Sequence, residues 1–307
     1  MNFTGSIRHL RMRARPPVLA LGGGGARGFV HIGVMRVLDQ LSIRPRAMVG
    51  TSMGSLMGAM YLVHGTAAEV EARWRKTMEQ GILPSVNPVT MMPRAEKKEH
   101  PLIQVARQIK NQLVVSFALN RSTVLDGSVL DRAVDELLPD LAIEDLPIPF
   151  TAVATHLETG EEVRLSRGPL RMAVKASSSI PGMVPAKSVE GDELVDGGVV
   201  AEVPVAAARA LGGSVLVVDA SMDIPPLEDD ELALDTMMRT QMMTSRLLRE
   251  RQLADATWVI RPKIGHVAWA DWRTFDEMIE AGETAAREFF GEEVRKLEGQ
   301  EVRKLEG

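Results

Sequence analysis

VLALGGGGARG (residues 18–28) and MVGTSMG (48–54) each set a glycine-framed turn between a short apolar run and a helix-like pattern. Strand, tight turn and helix, met twice in succession, is the rhythm of a parallel sheet. The second turn, Gly50-Thr51-Ser52-Met53-Gly54, fits Gly-X-Ser-X-Gly, which carries a serine on a sharp strand-to-helix bend with its hydroxyl exposed. Gly50 and Gly54 keep the backbones of strand and helix clear of each other, because a side chain at either place would clash across so tight a bend. The first turn supplies what acyl transfer also needs, backbone N–H groups aimed at an oxygen that becomes negative. Without Cβ atoms, Gly22 to Gly25 can reach positive φ and approach a ligand closely, and a helix starting near Ala26 adds its positive end.

Gly23, Gly25 and Gly28 also satisfy the dinucleotide-binding pattern between a strand and a helix. That fold wants an acidic residue about twenty positions on, at the end of its second strand, to hold a ribose. From Gln40 to Ala68 there is no Asp or Glu, and the serine elbow stands where that residue belongs. The context therefore argues against a nucleotide.

The chain has 307 residues, 45% hydrophobic and 25% charged, which suits one large globular domain carrying an insertion. It contains no cysteine, which excludes disulfides, thiol catalysis and thiolate metal sites. A net charge of −5 gives no reason to expect nucleic acid as a partner. Residues 1–16 form a basic arm, with Arg8, Arg11, Arg13 and Arg15 and no acidic residue; it reads as a solvated arm or as a contact with anionic lipid. No apolar core of a secretory signal follows it, and no run of eighteen apolar residues marks a transmembrane helix, so any membrane contact is expected to be peripheral. EVRKLEG occurs at 293–299 and again at 301–307, so 291–307 reads as a charged tail, too short in period for a structural repeat.

Val18–Leu21 read as a buried strand, and Val30, Gly33, Val34, Val37, Leu38 and Leu41 fall at helical spacing behind it. Ala47–Val49 form the next strand and Leu56–His64 the helix after the elbow. Pro149–Thr155 and Glu162–Leu165 make a hairpin around Glu158-Thr159-Gly160. Strands follow at 193–195, 214–218 and 256–260, with a helix from Pro204 to Leu211 and a long one from about Glu228 to Leu253. Residues 81–126 break this rhythm with Pro84, Pro88, Pro93 and Pro101, followed by a basic amphipathic stretch that includes Ile103, Ile109, Leu113 and Phe117. It reads as an insertion, either a lid over the site or plain core, and Met237, Met238, Met242 and Met243 on the long helix pose the same choice between partner contact and core.

A serine hydroxyl needs a proton acceptor. Of the six histidines, only His266, in a loop after the last clear strand, has the position of a triad histidine in a conventional hydrolase. A second candidate is Asp196 in Leu194-Val195-Asp196-Gly197-Gly198, a carboxylate at a strand end, presented at the same sheet edge as the serine if the strands are parallel; Asp followed by Gly is also a common turn.

These pieces, in this order, resemble the patatin-like phospholipase family, and most closely its compact bacterial members. The resemblance rests on Gly23-Gly24-Gly25-Ala26-Arg27-Gly28, on Gly50 to Gly54, on Asp196-Gly197-Gly198, and on Ala176-Ser177-Ser178-Ser179-Ile180-Pro181-Gly182 with Pro185, and it covers roughly residues 17–219. It implies an α/β fold, a three-layer α/β/α sandwich with a mainly parallel central sheet, in a domain over 17–290. It implies a dyad without histidine, in which Ser52 is the nucleophile and Asp196 the proton acceptor, with Gly23, Gly24 and Gly25 as the oxyanion hole. Arg27, Gly28, Gly50, Gly54, Gly197 and Gly198 would support the motifs. No metal and no cofactor are implied. The expected substrate is a phospholipid or another lipid ester, cleaved as a phospholipase A or lysophospholipase would cleave it, at a peripheral membrane surface. The expected place is the cytoplasm or the inner face of the membrane, and assembly of the chain with its own copies is left open. An Asp is a weak base at neutral pH, so this scheme needs a desolvated, tightly hydrogen-bonded carboxylate. Where the family often has asparagines after the Asp motif, this chain has Ala201 and Glu202 before Pro204. The rivals are a Ser-His-Asp esterase using His266 and a non-catalytic regulatory member of the family.

Overall fold

The computed structural model describes residues 3–82, 123, 127–227 and 233–291. Most of the insertion read at 81–126 lies outside the described residues, as do the start of the long helix and the repeated tail.

In chain order the elements are α1 (Phe3–Ala14), β1 (Val18–Leu21), a 3-10 turn (Gly25–Phe29), α2 (Val30–Gln40), β2 (Ala47–Thr51), α3 (Met53–His64), α4 (Ala67–Glu79) and α5 (Ser128–Leu137). Then come β3 (Phe150–His156), β4 (Glu162–Leu165), α6 (Leu170–Ser177), β5 (Lys187–Val189) and β6 (Asp192–Asp196). The chain continues through α7 (Gly198–Ala201), α8 (Val205–Ala210), β7 (Val215–Val218), α9 (Ala233–Leu253), β8 (Trp258–Ile260) and α10 (Phe275–Phe290). Strands β3, β2, β1, β7 and β8 form a parallel ladder. Strands β4, β5 and β6 join it antiparallel, giving a mixed, mainly parallel sheet.

Period-two alternation sorts the strand residues onto two faces. Leu19, Leu21, Met48, Phe150, Leu216 and Val218 pack with α2, α3, α4 and α10. Val18, Ala20, Ala47, Val49, Val215 and Val217 pack with α7, α8 and the end of α9. Both faces are covered, which is why these strands read as unbroken apolar runs, and the α/β/α sandwich is the fold found.

Helices α4, α5, α6 and α10 are additions to the pattern read from sequence. The crossing of α10 over α2 is tight: a Cβ on Gly33 would lie 2.0 Å from the Ile279 carbonyl oxygen, and one on Gly282 would lie 2.0 Å from that of Val30. The basic segment read as a solvated arm is helical over Phe3–Ala14, with Met12 fully buried, His9 Nε2 3.1 Å from the Leu41 carbonyl and the Arg8 guanidinium 4.8 Å from the Phe289 ring centroid. One side of α1 is thus seated on the domain, while Leu10, Arg11, Arg13 and Arg15 are exposed. Among the described residues no helix is long and apolar enough to cross a membrane.

The α2–α10 crossing gives a direct test of this packing. Replacing Gly33 with Ala should lower the unfolding free energy by about 3 kcal/mol, the upper part of the range for overpacking, because the neighbour is backbone and has no rotamer to yield. Urea denaturation of the variant against wild type measures it.

Candidate active site

Strand β3 pairs on one edge with β4, through residues 152–155. Its other edge is shared: β2 takes Phe150 to Val153 in parallel, and β6 takes Ala154 to His156 in antiparallel. Thr51 lies opposite Val153 and Asp196 opposite Ala154, so the C-terminal ends of β2 and β6 meet head to head. Strands β2 and β6 run antiparallel, so the parallel arrangement weighed from the sequence is not what brings Asp196 to the serine. The two residues come together because their strands run toward each other on one edge.

Ser52 is the residue at which β2 turns into α3, with φ 52° and ψ −124°, a conformation L-residues rarely adopt. A Cβ on Gly50 would lie 2.4 Å from the Gly54 carbonyl oxygen, and one on Gly54 would lie 2.2 Å from that of Leu21, so the elbow's two glycines are sterically required. The Ser52 hydroxyl donates to Asp196 Oδ2 at 2.6 Å. The Gly198 N–H donates to Asp196 Oδ1 at 2.7 Å, and a Cβ on Gly197 would lie 2.2 Å from the Val153 carbonyl oxygen. Asp196 is 6% exposed, and burial pushes its carboxyl up to about 6 against the opposing hydrogen bonds from Ser52 and Gly198. The carboxylate is desolvated and hydrogen-bonded, the two conditions a weak base requires.

The glycine loop runs beside this pair. The Gly23 N–H donates to the Glu202 carbonyl at 2.8 Å and the Ala26 N–H to the Trp269 carbonyl at 2.7 Å. Gly23 therefore holds the loop rather than offering its amide to a ligand. The amides of Gly24 (φ 154°) and Gly25 (φ 58°) find no acceptor among the described residues. A Cβ on Gly25 would lie 2.1 Å from the Trp269 carbonyl oxygen, and one on Gly28 would lie 2.3 Å from the Met53 side chain. Arg27 Nε donates to the Gly24 carbonyl at 3.0 Å. His31 Nε2 lies 2.8 Å from the Gly22 carbonyl; burial lowers its pKa to about 4, so the ring is neutral and the proton sits on Nε2.

Sequence reasoning did not find the charged layer behind the loop. Arg249 of α9, 5% exposed, lies 3.5 Å from the Glu202 carboxylate and 3.8 Å from that of Asp219, and Arg261 pairs with Asp219 at 2.9 Å. Glu202 thus fixes Gly23 through its carbonyl and is itself held through its carboxylate. His266 is exposed, and the acceptor facing Ser52 is Asp196. A cavity of about 130 Å³ opens beside Ser52 and Gly25, walled by Met53, Leu56, Leu130, Ile180, Met183 and by Trp74, Trp269 and Trp272. Three of the chain's four tryptophans stand there, and the packing of Phe29 against Trp74 at 5.0 Å and Trp272 at 5.9 Å backs that wall.

A family model described as patatin-like phospholipase matches residues 19–209, which take in the glycine loop, the elbow and Asp196. The chain belongs to the patatin-like phospholipase family. Members of this family are generally lipid acyl hydrolases. An uncharacterized NTE family protein of Mycobacterium tuberculosis is 34% identical over 188 residues, covering 61% of this chain and 44% of that protein. Human patatin-like phospholipase domain-containing protein 6 is 27% identical over 221 residues, covering 70% of this chain and 14% of that protein. The chain therefore matches less than half the length of either relative. Among solved structures, the ExoU–SpcU complex of Pseudomonas aeruginosa overlays with a TM-score of 0.44 at 19% identity, covering 92% of this chain and 52% of that one, too loose a likeness to carry an argument.

The raised pKa of Asp196 has a consequence for stability. The folded protein binds a proton at Asp196 up to about pH 6 while the unfolded chain releases it near pH 4, so stability is lost as pH rises through that window. Asp196→Asn removes this term and should be more stable than wild type by about 2–3 kcal/mol at neutral pH, with the difference closing below about pH 4. Urea denaturation of both proteins at two pH values measures it.

Proposed function

We propose that this chain is a serine acylhydrolase that cleaves lipid acyl esters through a Ser52–Asp196 dyad. The observation that carries this reading is the 2.6 Å bond from the Ser52 hydroxyl to a buried carboxylate at the side of an apolar cavity. The acyl chain of a phospholipid, lysophospholipid or related ester lies in the cavity with its carbonyl carbon over Ser52 Oγ. Ser52 gives its proton to Asp196 Oδ2 as Oγ bonds to that carbon, and the carbonyl oxygen takes the negative charge toward the amides of Gly24 and Gly25. The tetrahedral centre collapses, the C–O bond to the alcohol breaks, and the alcohol leaves with the proton from Asp196. Water then gives a proton to Asp196, attacks the acyl-Ser52, and releases the fatty acid as Ser52 recovers its hydrogen.

Two further readings belong to this proposal. The domain runs over 17–290 with 81–126 as its cap, and it works at a membrane surface on the cytoplasmic side, where the exposed arginines of α1 meet anionic headgroups. Exposure of His266, and its absence from the partners of Ser52, count against the conventional triad.

Fatty-acid release from mixed phospholipid vesicles tests the proposal. Ser52→Ala and Asp196→Asn should each lose at least about 10³-fold in rate, while His266→Ala stays near wild type. Loss with Ser52 and His266 but not Asp196 would overturn the dyad, and absence of any ester cleavage together with no fluorophosphonate labelling of Ser52 would overturn the enzyme.

Proton acceptance needs the ionised carboxylate, so the rate should rise through about pH 6 and level off above it. A pH–rate profile on a soluble acyl ester reads this limb, and Asp196→Asn should abolish it.

A further inference from the structure

Ser177 is the last residue of α6 and is fully buried. Its Oγ accepts the Ser52 N–H at 2.9 Å and donates to the Val153 carbonyl at 2.6 Å. Its own carbonyl accepts the Gly197 N–H at 3.3 Å, and two residues on the Ser179 carbonyl accepts the Asp196 N–H at 2.8 Å. Segment 177–179 therefore grips the main chain on both sides of the Ser52–Asp196 bond. It also holds β3 at Val153, next to the point where β2 gives way to β6.

The Ser52 N–H stands in the first turn of α3, where no helical carbonyl can serve it, and in a backbone conformation that does not persist unless its surroundings impose it. The partner that the fold supplies is the Ser177 hydroxyl. We propose that Ser177 is a positioning residue, which fixes the strained Ser52 backbone and so aims the Ser52 hydroxyl at Asp196. This inference rests on the dyad reading and adds a third residue to it, one that touches neither substrate nor reacting atoms.

The loss of a positioning residue differs from the loss of a merely structural one. Without its anchor the Ser52 hydroxyl strays from Asp196, so turnover falls while acyl binding in the cavity is kept. Asp196 also loses a hydrogen bond that favours its ionised form, so the acidic limb moves to higher pH. The other groups facing Asp196 are the Gly198 N–H and the Glu202 carboxylate, and Glu202 is in turn faced by Arg27, Arg249 and Asp219; Ser177→Ala leaves all of them in place.

The test compares the 307-residue chain with Ser177→Ala, Ser177→Cys, Ser52→Ala and Asp196→Asn on a soluble p-nitrophenyl acyl ester, together with the rate of fluorophosphonate labelling and the melting temperature. Ser177→Ala should lose on the order of 10²-fold in kcat with little change in KM, label more slowly in proportion, and show the acidic limb displaced upward. Ser177→Cys, close in size but a poor hydrogen-bond partner, should follow Ser177→Ala. Wild-type kcat and labelling in either folded variant would overturn the inference. So would an unmoved acidic limb in a variant that is only less stable, or failure of both variants to fold. If instead Ser52→Ala or Asp196→Asn keeps full activity, the dyad itself is wrong, an outcome read independently of Ser177.

Discussion

The seven residues of β3 divide one edge between two strands that run toward each other, and the rest of the site is built around that junction. Four residues of β2 and three of β6 leave no gap between Val153 and Ala154. The chain must therefore leave the sheet sharply at both ends, into α3 after Ser52 and into α7 after Asp196. These sharp exits require glycines, which face the elbow helix at Gly50, β1 at Gly54 and β3 at Gly197. At Gly50, Gly54 and Gly197 a single added carbon would stand 2.2 to 2.4 Å from a main-chain oxygen. The motifs are thus steric records of the tight turns out of the sheet, and Ser52 and Asp196 are the side chains that face each other where β2 and β6 meet.

Such a meeting is costly in isolation. Ser52 is held at φ 52°, and Asp196 keeps a carboxyl out of water with two hydrogen bonds to steady its charge. Neither would persist on a loop. The stability comes from elsewhere: a parallel ladder buried on both faces, the α2–α10 contact at Gly33 and Gly282, and aromatic packing around Phe29. The charged layer adds rigidity rather than a net gain, since burying Arg249, Asp219 and Glu202 carries a desolvation cost that their mutual attraction largely offsets.

Most of this was legible where the information is local. Apolar runs followed by glycine turns and helical spacing located β1, α2, β2 and α3, and the Gly-X-Ser-X-Gly spacing located the elbow, because turn sterics act over a few residues. The direction of β6 was not legible. Nothing in Asp192–Asp196 says whether it runs with or against a strand 36 or more residues earlier, so the parallel arrangement could stand only as a condition, and the strand runs antiparallel. The partner of Gly23 was equally hidden: its acceptor, Glu202, is fixed by an arginine 47 positions further along the chain. Glu202 looked like a departure from the family pattern, yet its carbonyl is a main-chain group that any residue could supply. Helix α10 was readable, since Phe275, Met278, Ile279, Gly282, Ala286 and Phe290 fall on one face, but its glycine makes sense only against Gly33.

The glycine loop combines both kinds of constraint. Positive φ at Gly24 and Gly25 turns successive peptides in different directions, so the amides flanking them, Gly23 and Ala26, can bind carbonyls of the protein while their own find no acceptor among the described residues. The two carbonyls come from far apart in the chain, Glu202 after α7 and Trp269 after β8. Trp269 does double duty, because its carbonyl fixes Ala26 while the residue also lines the apolar cavity. The anchor of the glycine loop and the wall of the cavity therefore share one residue. One segment, after β8, thus sets both the course of the glycine loop beside Ser52 and part of the cavity wall, so a change of packing at Trp269 reaches both.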